Sequence, residues 1–275
     1  MSELDNKLRI PETLKKIKNI IGVFSAKGGV GKSAISLQLA LSLIDKGFKV
    51  GLLDADIYGP SQSLMLQAKP VKLKTLKDNQ MINPLEVQKL KFISMGLISG
   101  ERTPLVARGP KVSGAVMQLF SKTNWGELDY LIVDTPPGTG DAQMTLLQRI
   151  PITTTLVVTT PQNVSISDCR RGIEMIKKFN IPITGLIENM SWFQPEKQEK
   201  KYFLFGHGGG EELAREYSLE LLSQIPLIEA IEGNEIQNHP LLELEFAKIS
   251  EKLIRSIESI KAKKPSDIPH INIVK

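Results

Sequence analysis

The sequence predicts an α/β fold in which a mostly parallel sheet carries helices on both faces. Apolar, strand-like runs alternate with segments of helical periodicity along most of the 275 residues. The runs are mostly apolar, as expected of strands that are buried on both sides. Hydrophobic residues make up 41% and charged residues 24% of the chain, which is the balance of an ordinary globular protein. These observations favour one large domain of alternating strands and helices.

The candidate strands are apolar runs over residues 19–25, 48–53, 92–95, 130–133, 155–159, 183–187 and 221–225. Helical periodicity follows several of them, most clearly over residues 35–44, 165–179 and 210–217. A final helix is indicated by an apolar stripe made of Phe246, Ile249, Leu253, Ile257 and Ile260. We expect this stripe to dock on the core; the alternative is a helix that lies on a membrane surface.

The ends of the chain and two internal stretches differ from the rest in composition. We interpret residues 1–18 as a charged lead-in, residues 19–260 as the folded domain and residues 261–275 as a flexible tail. Residues 71–81 are polar and residues 194–201 are highly charged, so both are predicted loops. No apolar stretch is long enough to span a bilayer, and the polar N-terminus lacks the apolar core of a signal peptide. We therefore expect a cytoplasmic protein without a membrane span.

Residues 26–33 form the most informative motif, with the sequence Ala-Lys-Gly-Gly-Val-Gly-Lys-Ser. A predicted strand precedes this stretch and a predicted helix follows it, which is the arrangement of a phosphate-binding loop; the alternative is a plain glycine turn. Lys32 supplies a full charge for the β- and γ-phosphates, and the Ser33 hydroxyl is placed to ligate Mg²⁺. The backbone N–H groups expected to turn toward the anion are those of Gly28, Gly29, Val30 and Gly31.

Acidic residues end two of the predicted strands. Asp54 and Asp56 follow the run 48–53, and Asp134 follows the run 130–133. Ligands of parallel sheets bind at the carboxyl ends of the strands, so these carboxylates are candidates for holding Mg²⁺ and water beside the phosphate loop. For Asp54 and Asp56 the alternative is a solvated turn with a helix cap. After Asp134 the chain runs into Thr-Pro-Pro-Gly, where Gly138 can bring a backbone N–H group to the γ-phosphate.

The string from Lys27 to Ser33 resembles the deviant Walker A motif of the MinD/ParA/Mrp branch of P-loop ATPases. The resemblance makes residues 19–260 a P-loop ATPase domain. It implies that Lys27 reaches across a dimer interface to the nucleotide of the partner. It also implies that Asp56, in the switch I segment, orients or activates the attacking water, while Asp54 lies closer to the magnesium shell. In addition, residues 135–141 resemble switch II of the Mrp subgroup.

Further strings are similar to the same subgroup, the Mrp-type (ApbC-like) iron–sulfur carrier ATPases. They lie at residues 108–115, 125–130, 159–162, 188–191 and 205–211. The resemblance covers nearly all of the chain between its first predicted strand and position 240. It implies that Asn189 presents its side-chain amide to the adenine edge, since an amide both donates and accepts. The alternative for Asn189 is a turn-forming asparagine.

The sequence departs from that subgroup at its cysteines. Many members carry Cys-Pro-x-Cys just after the Asn-Met-Ser segment, where two cysteines from each subunit would hold a cluster across the dimer. Here residues 191–198 read Ser-Trp-Phe-Gln-Pro-Glu-Lys-Gln. The single cysteine, Cys169, falls in a predicted helix, which excludes an intrachain disulfide and a site of several cysteines from one chain. A bound iron–sulfur cluster is thus implied by the family but not supported by the cysteines of this chain.

We therefore expect a homodimer that binds ATP and Mg²⁺, hydrolyses ATP slowly and acts with client or scaffold proteins in iron–sulfur cluster assembly or transfer. The alternative is a ParA/MinD-like ATPase that positions or regulates a partner protein. A reductase of the nitrogenase type needs bridging cysteines and is excluded, and Lys27 with residues 135–141 argues against a small-molecule kinase. The net charge of +5 is mild and clustered, which fits solvated faces better than a nucleic-acid interface.

Overall fold

A computed structural model describes residues 12–56, 59–68, 81–94, 96–97, 109–195, 200–228 and 239–262 of the chain. The strands in these residues are β1 (Ile20–Phe24), β2 (Val50–Asp54), β3 (Leu85–Val87), β4 (Leu90–Ser94), β5 (Tyr130–Asp134), β6 (Thr154–Thr159), β7 (Ile183–Phe193) and β8 (Leu221–Leu227). They form one sheet with the order β3-β4-β2-β5-β1-β6-β7-β8. All neighbours pair in parallel except β3 and β4, which form an antiparallel hairpin.

The central strands of this sheet are buried on both faces. Every residue of β1, β2, β5 and β6 is buried, which explains why their sequences are apolar without alternation. Successive side chains of a strand nevertheless serve different faces. Ile21 and Val23 belong to one hydrophobic core, whereas Ile20 and Phe24 belong to cores on the opposite side.

Helices cover both faces of the sheet. They are α1 (Glu12–Lys15), α2 (Lys32–Asp45), α3 (Gln62–Met65), α4 (Gly109–Lys122), α5 (Asp141–Arg149), α6 (Asn163–Lys178), α7 (Gly209–Tyr217) and α8 (Pro240–Ala262). Buried residues of α2 and α8 pack into the core of one face. Those of α4, α5, α6 and α7 pack against the other face. The predicted α/β class with helices on both sides is confirmed.

Two strands differ from what the sequence predicts. The sequence predicts β7 over residues 183–187, but the strand continues to Phe193, because it pairs with β8 along most of that length. Asn189 therefore lies within a strand and not in a turn that follows one. β3 is absent from the predicted strands; it is three residues long and reverses into β4 through Gln88 and Lys89, both at positive φ as in a two-residue hairpin turn.

The two ends of the described chain are tied to the body. In α8 the predicted stripe packs on the core through Phe246, Ile249, Leu253 and Ile257, and the Ser42 and Ser250 hydroxyls share a hydrogen bond of 3.1 Å. At the other end α1 belongs to the expected lead-in, yet Leu14 and Ile17 are buried. The predicted loop 71–81, apart from Met81, and the predicted tail beyond Ala262 lie outside the described residues. No helix in the described ranges could cross a membrane.

Candidate nucleotide site

The parallel register brings the predicted site residues to one edge of the sheet. Asp54 at the end of β2 pairs in register with Asp134 at the end of β5. β1, on the other side of β5, places Val23 opposite Asp134, and the phosphate loop begins directly after Phe24. Elements that are separated by up to about a hundred residues in sequence therefore meet at the carboxyl ends of adjacent strands, where ligands of such sheets bind.

The loop of residues 25–31 has the backbone that its glycines allow. Gly29 and Gly31 have φ values of 79° and 82°, a region that residues with a side chain rarely adopt. Gly31 also leads directly into α2, and a Cβ atom at this position would clash with the side-chain amide of Asn189. The loop lines an open cavity of about 300 Å³, together with Asp56, Gly59 and Pro137 from the neighbouring segments.

Lys32 is the first residue of α2 and is 5% exposed. Its ammonium forms an ion pair with Asp134 Oδ1, and the Ser36 hydroxyl, one turn further along α2, lies 3.2 Å from the same oxygen. Asp134 itself has no exposed surface. The pair therefore fixes both charges beneath the phosphate loop, where a phosphate could compete with Asp134 for the lysine.

Asp54 is fully buried beside Asp134. Its Oδ1 accepts a hydrogen bond from the Asp56 backbone N–H group (3.1 Å), and its Oδ2 accepts one from the Ser94 hydroxyl (3.0 Å). Burial, followed by the negative charge of Asp134, raises the pKa of Asp54 to about 7. Two carboxylates thus meet where Lys32 pairs with only one of them, Asp134, so that the cluster favours an additional positive charge or a proton.

Asp56 lies closer to the surface than Asp54 and contributes to the wall of the cavity. Its Oδ1 accepts a hydrogen bond of 3.2 Å from the Gly59 backbone N–H group. This places the predicted water-orienting carboxylate on the solvent side of the phosphate loop, whereas Asp54 lies in the interior. Ile57 and Tyr58, from the same predicted switch segment, lie outside the described residues.

Lys27 lies at the rim of the loop and is half-buried. Its ammonium lies 3.4 Å from Gln162 Oε1, at the start of α6, a long distance for a hydrogen bond. Gly138 is at a φ of 94°, and its backbone N–H group donates to the Ser25 carbonyl at 3.0 Å. The γ-phosphate contact predicted for Gly138 therefore requires this N–H group to change partner.

Asn189 contacts the phosphate loop from β7. Its Nδ2 donates to the Val30 carbonyl at 2.9 Å. The neighbouring Glu188 carboxylate is buried and accepts hydrogen bonds from Ser191, Gln224 and the backbone N–H group of Gly210 near the start of α7. The end of β7 is thereby fastened to the phosphate loop on one side and to α7 on the other. An adenine contact by Asn189 stays a prediction.

Sequence reasoning missed Gln62, the first residue of α3, although it is fully buried inside the predicted site. Its Nε2 donates to the Ser33 carbonyl (2.8 Å) and to Asp134 Oδ2 (2.9 Å), and its backbone N–H group donates to Asp54 Oδ2 (3.4 Å). The only signal in the sequence was its position after Asp54 and Asp56, because its polar partners lie far away along the chain.

Cys169 lies on α6 and is 1% exposed. Burial raises the pKa of its thiol to about 12, so it is protonated at neutral pH. After the Asn-Met-Ser segment, where the family resemblance would place cysteines, Phe193 and Tyr202 pair through two backbone hydrogen bonds of 2.8 Å. The described part of the chain contains no group of three or more His, Cys, Asp and Glu side chains that could hold a metal ion.

The residues at the cavity nevertheless fit Mg²⁺. Asp134 pairs with Lys32, while the buried Asp54 lies beside Asp134 without an ion pair of its own among the described residues, so the two carboxylates together favour a further cation. Mg²⁺ is commonly held by one or two carboxylates together with substrate phosphates, and a larger cage of protein ligands is not required. Ser33 lines the cavity, whereas Asp54 and Asp134 have no exposed surface. The oxygen-rich donor set therefore suits a magnesium ion that arrives with a nucleotide.

A glycine-rich loop that leads into a helix, a buried lysine and carboxylates at the ends of parallel strands define a P-loop NTPase. The structure is similar to MinD from Pyrococcus horikoshii, a septum site-determining protein solved with Mg-ADP. The TM-score is 0.61 at 21% identity, with 90% of this chain and 99% of that chain covered. At this identity the similarity establishes the MinD-like fold.

The chain belongs to the ParA group described as NUBPL iron-transfer P-loop NTPases, whose family model matches residues 16–261. It is 46% identical over 214 residues to an iron-sulfur cluster carrier protein of Pseudomonas fragi, covering 78% of this chain and 75% of the relative. A carrier protein of Methanocaldococcus jannaschii is 43% identical over 271 residues, covering 95% and 92%. Its alignment with an iron-sulfur cluster carrier protein of Synechocystis covers 62% of the length of that relative.

A solved structure at higher identity contains a bound nucleotide. A nucleotide-binding protein from Archaeoglobus fulgidus, in complex with ADP, is 31% identical and has a TM-score of 0.69. The alignment covers 89% of this chain and 92% of that chain. The resemblance to Mrp-type carrier ATPases, which the motifs at residues 27–33 and 135–141 predict, is therefore confirmed.

Proposed function

We propose that the chain binds ATP with Mg²⁺ in the cavity beside β1 and hydrolyses it slowly as a homodimer that acts in iron–sulfur cluster assembly or transfer. The carrying observation is the pairing of Lys32 with Asp134 beneath a loop whose glycines hold positive φ. This arrangement presents backbone donors and one full positive charge to the same volume. The relatives named as carrier proteins and the ADP complex of the Archaeoglobus protein support it.

Each residue has a separate role in nucleotide binding. Lys32 binds the β- and γ-phosphates, the loop N–H groups bind the remaining phosphate oxygens, and Ser33 with Asp134 holds the magnesium ion. Mg²⁺, when bound, neutralises charge on the phosphates and on the leaving group. Asp54 supports the Asp134 side of this cluster from the interior, since its own oxygens are occupied by Ser94 and the Asp56 backbone.

Hydrolysis needs an oriented water molecule and a further positive charge at the γ-phosphate. Asp56 is the carboxylate on the solvent side of the cavity, so it is placed to orient the attacking water. Lys27 is a second cation at the loop, held to its own subunit by the long 3.4 Å contact with Gln162. We assign it to the nucleotide of a second subunit, which requires two copies to face each other across their phosphate loops.

In this function the iron–sulfur cluster is the cargo that the protein carries. [4Fe–4S] clusters normally take four cysteine thiolates, and a symmetric dimer of this chain offers two, both Cys169. Each is buried in α6 and protonated. We therefore propose that the dimer does not hold a stable cluster with its own thiolates, and that any cluster it carries is ligated by a client protein, a scaffold protein or a small thiol.

Anaerobic reconstitution with iron and sulfide, run beside an assay of phosphate release from ATP, tests this function. We expect slow, magnesium-dependent phosphate release and no visible absorbance after desalting. A stable brown dimer whose colour vanishes in Cys169→Ser would contradict the cargo assignment and make the chain a carrier through its own thiolates. Phosphate release without any effect on cluster transfer to an apo-protein would favour the ParA/MinD-like alternative, an ATPase that positions or regulates a partner.

A further inference from the structure

Gln62 connects three parts of the candidate site that are distant in sequence. It begins α3, directly after the segment that carries Asp54 and Asp56. Its side-chain nitrogen reaches Ser33 on α2 and Asp134 on β5. Because the backbone N–H group of Gln62 also donates to Asp54, one residue joins the ends of β2 and β5 to the phosphate loop.

The orientation of the Gln62 amide is fixed by its neighbours. The Ser33 carbonyl and the Asp134 carboxylate are both acceptors, so the atom between them must be the donor nitrogen. The other amide atom, Oε1, is then an acceptor bonded to the same carbon. It is buried and finds no hydrogen-bond partner among the described residues. A buried acceptor without a donor is costly, and native structures retain one where a ligand or water supplies the donor.

The charges near Gln62 Oε1 also indicate which kind of hydrogen-bond donor could bind to it. Asp134 and Asp54 carry the charge of this cluster, and Lys32 already pairs with Asp134. An anion is repelled by the carboxylates, whereas a hydrated cation is attracted, and the water molecules of Mg²⁺ are strong hydrogen-bond donors. The Gln62 amide therefore suits a nearby magnesium ion in two ways. Its Nε2 holds the Asp134 carboxylate, and its Oε1 is an acceptor without a donor among the described residues.

We propose that Gln62 is a positioning residue for the magnesium ion of the nucleotide complex: Nε2 holds the Asp134 carboxylate in place, and Oε1 accepts a hydrogen bond from a water molecule of the magnesium shell. The inference rests on the proposed function, because it assumes a magnesium nucleotide in this cavity. It adds a residue of α3 to a site otherwise built from α2, β2 and β5. It also means that the position of the segment after β2 depends on whether the magnesium ion is bound.

Loss of the Gln62 side chain should therefore weaken magnesium binding selectively. Gln62 reaches the loop only at the Ser33 carbonyl and touches none of the loop N–H groups, so its loss leaves the donors that bind the phosphates in place. Its loss weakens the hold on Mg²⁺, since Asp134 loses a donor that fixes its direction. Nucleotide affinity without metal should therefore be unchanged, and the gain in affinity that magnesium provides should shrink.

Calorimetric titration of ADP, once in EDTA and once with Mg²⁺, separates the two effects. For Gln62→Leu we expect an ADP affinity in EDTA within about twofold of the unchanged chain, and an affinity with Mg²⁺ about tenfold weaker, the size of one hydrogen bond to a charged group. Raising the Mg²⁺ concentration should restore ADP binding. Gln118→Leu, which makes the same chemical change at an exposed position on α4, should behave like the unchanged chain.

Thermal unfolding in EDTA controls for folding, and Gln62→Met, closer in shape to glutamine, replaces Gln62→Leu if the latter does not fold. An equal gain in ADP affinity from Mg²⁺ in the unchanged chain and in the folded Gln62 variant would overturn the role of Gln62. So would an equal loss of ADP affinity in EDTA and in Mg²⁺. If the unchanged chain binds no ADP under either condition, the proposed function itself fails, which is a distinct result.

Discussion

The buried pair of Lys32 and Asp134 predicts a stability defect that is independent of nucleotide. In Lys32→Ala the Asp134 carboxylate keeps its neutral donors, Ser36 and Gln62, but loses its cation while it stays beside Asp54. Removing one partner of a buried ion pair costs about 3–5 kcal/mol, because an uncompensated charge is left in the interior. Lys32 is 5% exposed and Asp134 is 0% exposed, so solvent can do little to screen that charge.

Urea unfolding measures this loss of stability. A loss of about 3 kcal/mol lowers the midpoint by about 1 M if the denaturant slope is about 3 kcal/mol/M, the upper part of the usual range. The double variant Lys32→Ala/Asp134→Asn removes the orphaned charge and should recover most of the loss. Strictly additive losses in the two single variants and the double variant would refute this reasoning, because they would show that the two side chains do not interact. Phosphate release should be absent in all three variants, since each lacks Lys32 or Asp134.

Four further outcomes follow from the structure. Lys27→Gln should bind ATP almost normally in calorimetry but release phosphate at least about a hundredfold more slowly, because the lysine charge acts on the transition state. Equal losses of ATP binding and of turnover would mean that Lys27 acts only in the site of its own subunit. Asp56→Ala with ATP and Mg²⁺ should be a dimer in light scattering, and a strict monomer refutes the facing arrangement. Cys169 should resist iodoacetamide at about pH 8 until urea is added, since burial raises its pKa to about 12. Because the folded chain keeps a proton that the unfolded chain releases above about pH 9, the stability that this thiol contributes falls as pH rises from about 9 through 12. The fall in urea stability over this range should therefore be smaller in Cys169→Ala, although burial also raises the pKa of Tyr130 and leaves part of the decline in place.

Much of the fold and the outline of the site could be predicted from sequence because both are encoded locally. The loop glycines, Lys32 and the carboxylates that end β2 and β5 each stand beside an apolar run, and the parallel sheet brings those run ends together. A glycine at positive φ and a strand buried on both faces are also properties of a few consecutive residues. Local chemistry and sheet topology were therefore enough to place these residues at one edge.

What could not be predicted depends on partners distant in sequence. Gln62 acts through Ser33 and Asp134, which lie 29 and 72 residues away. Asp54 is bonded by Ser94, 40 residues away, and nothing near either residue indicates that pairing. The length of β7 likewise depends on its pairing with β8, so sequence alone places Asn189 after a strand when it lies inside one.

The double fastening at the end of β7 has a practical consequence for protein engineering. Glu188 holds α7 and Asn189 holds the phosphate loop, so the direction of the chain is fixed before residue 194 is reached. Lys200 and Lys201, which follow this point, are exposed and do not line the nucleotide cavity, so they can be substituted without touching it. Because Cys169 is buried, a single cysteine introduced at position 200 would be the thiol that a maleimide dye reaches first. A dye attached there would label the folded chain without altering any atom of the phosphate loop.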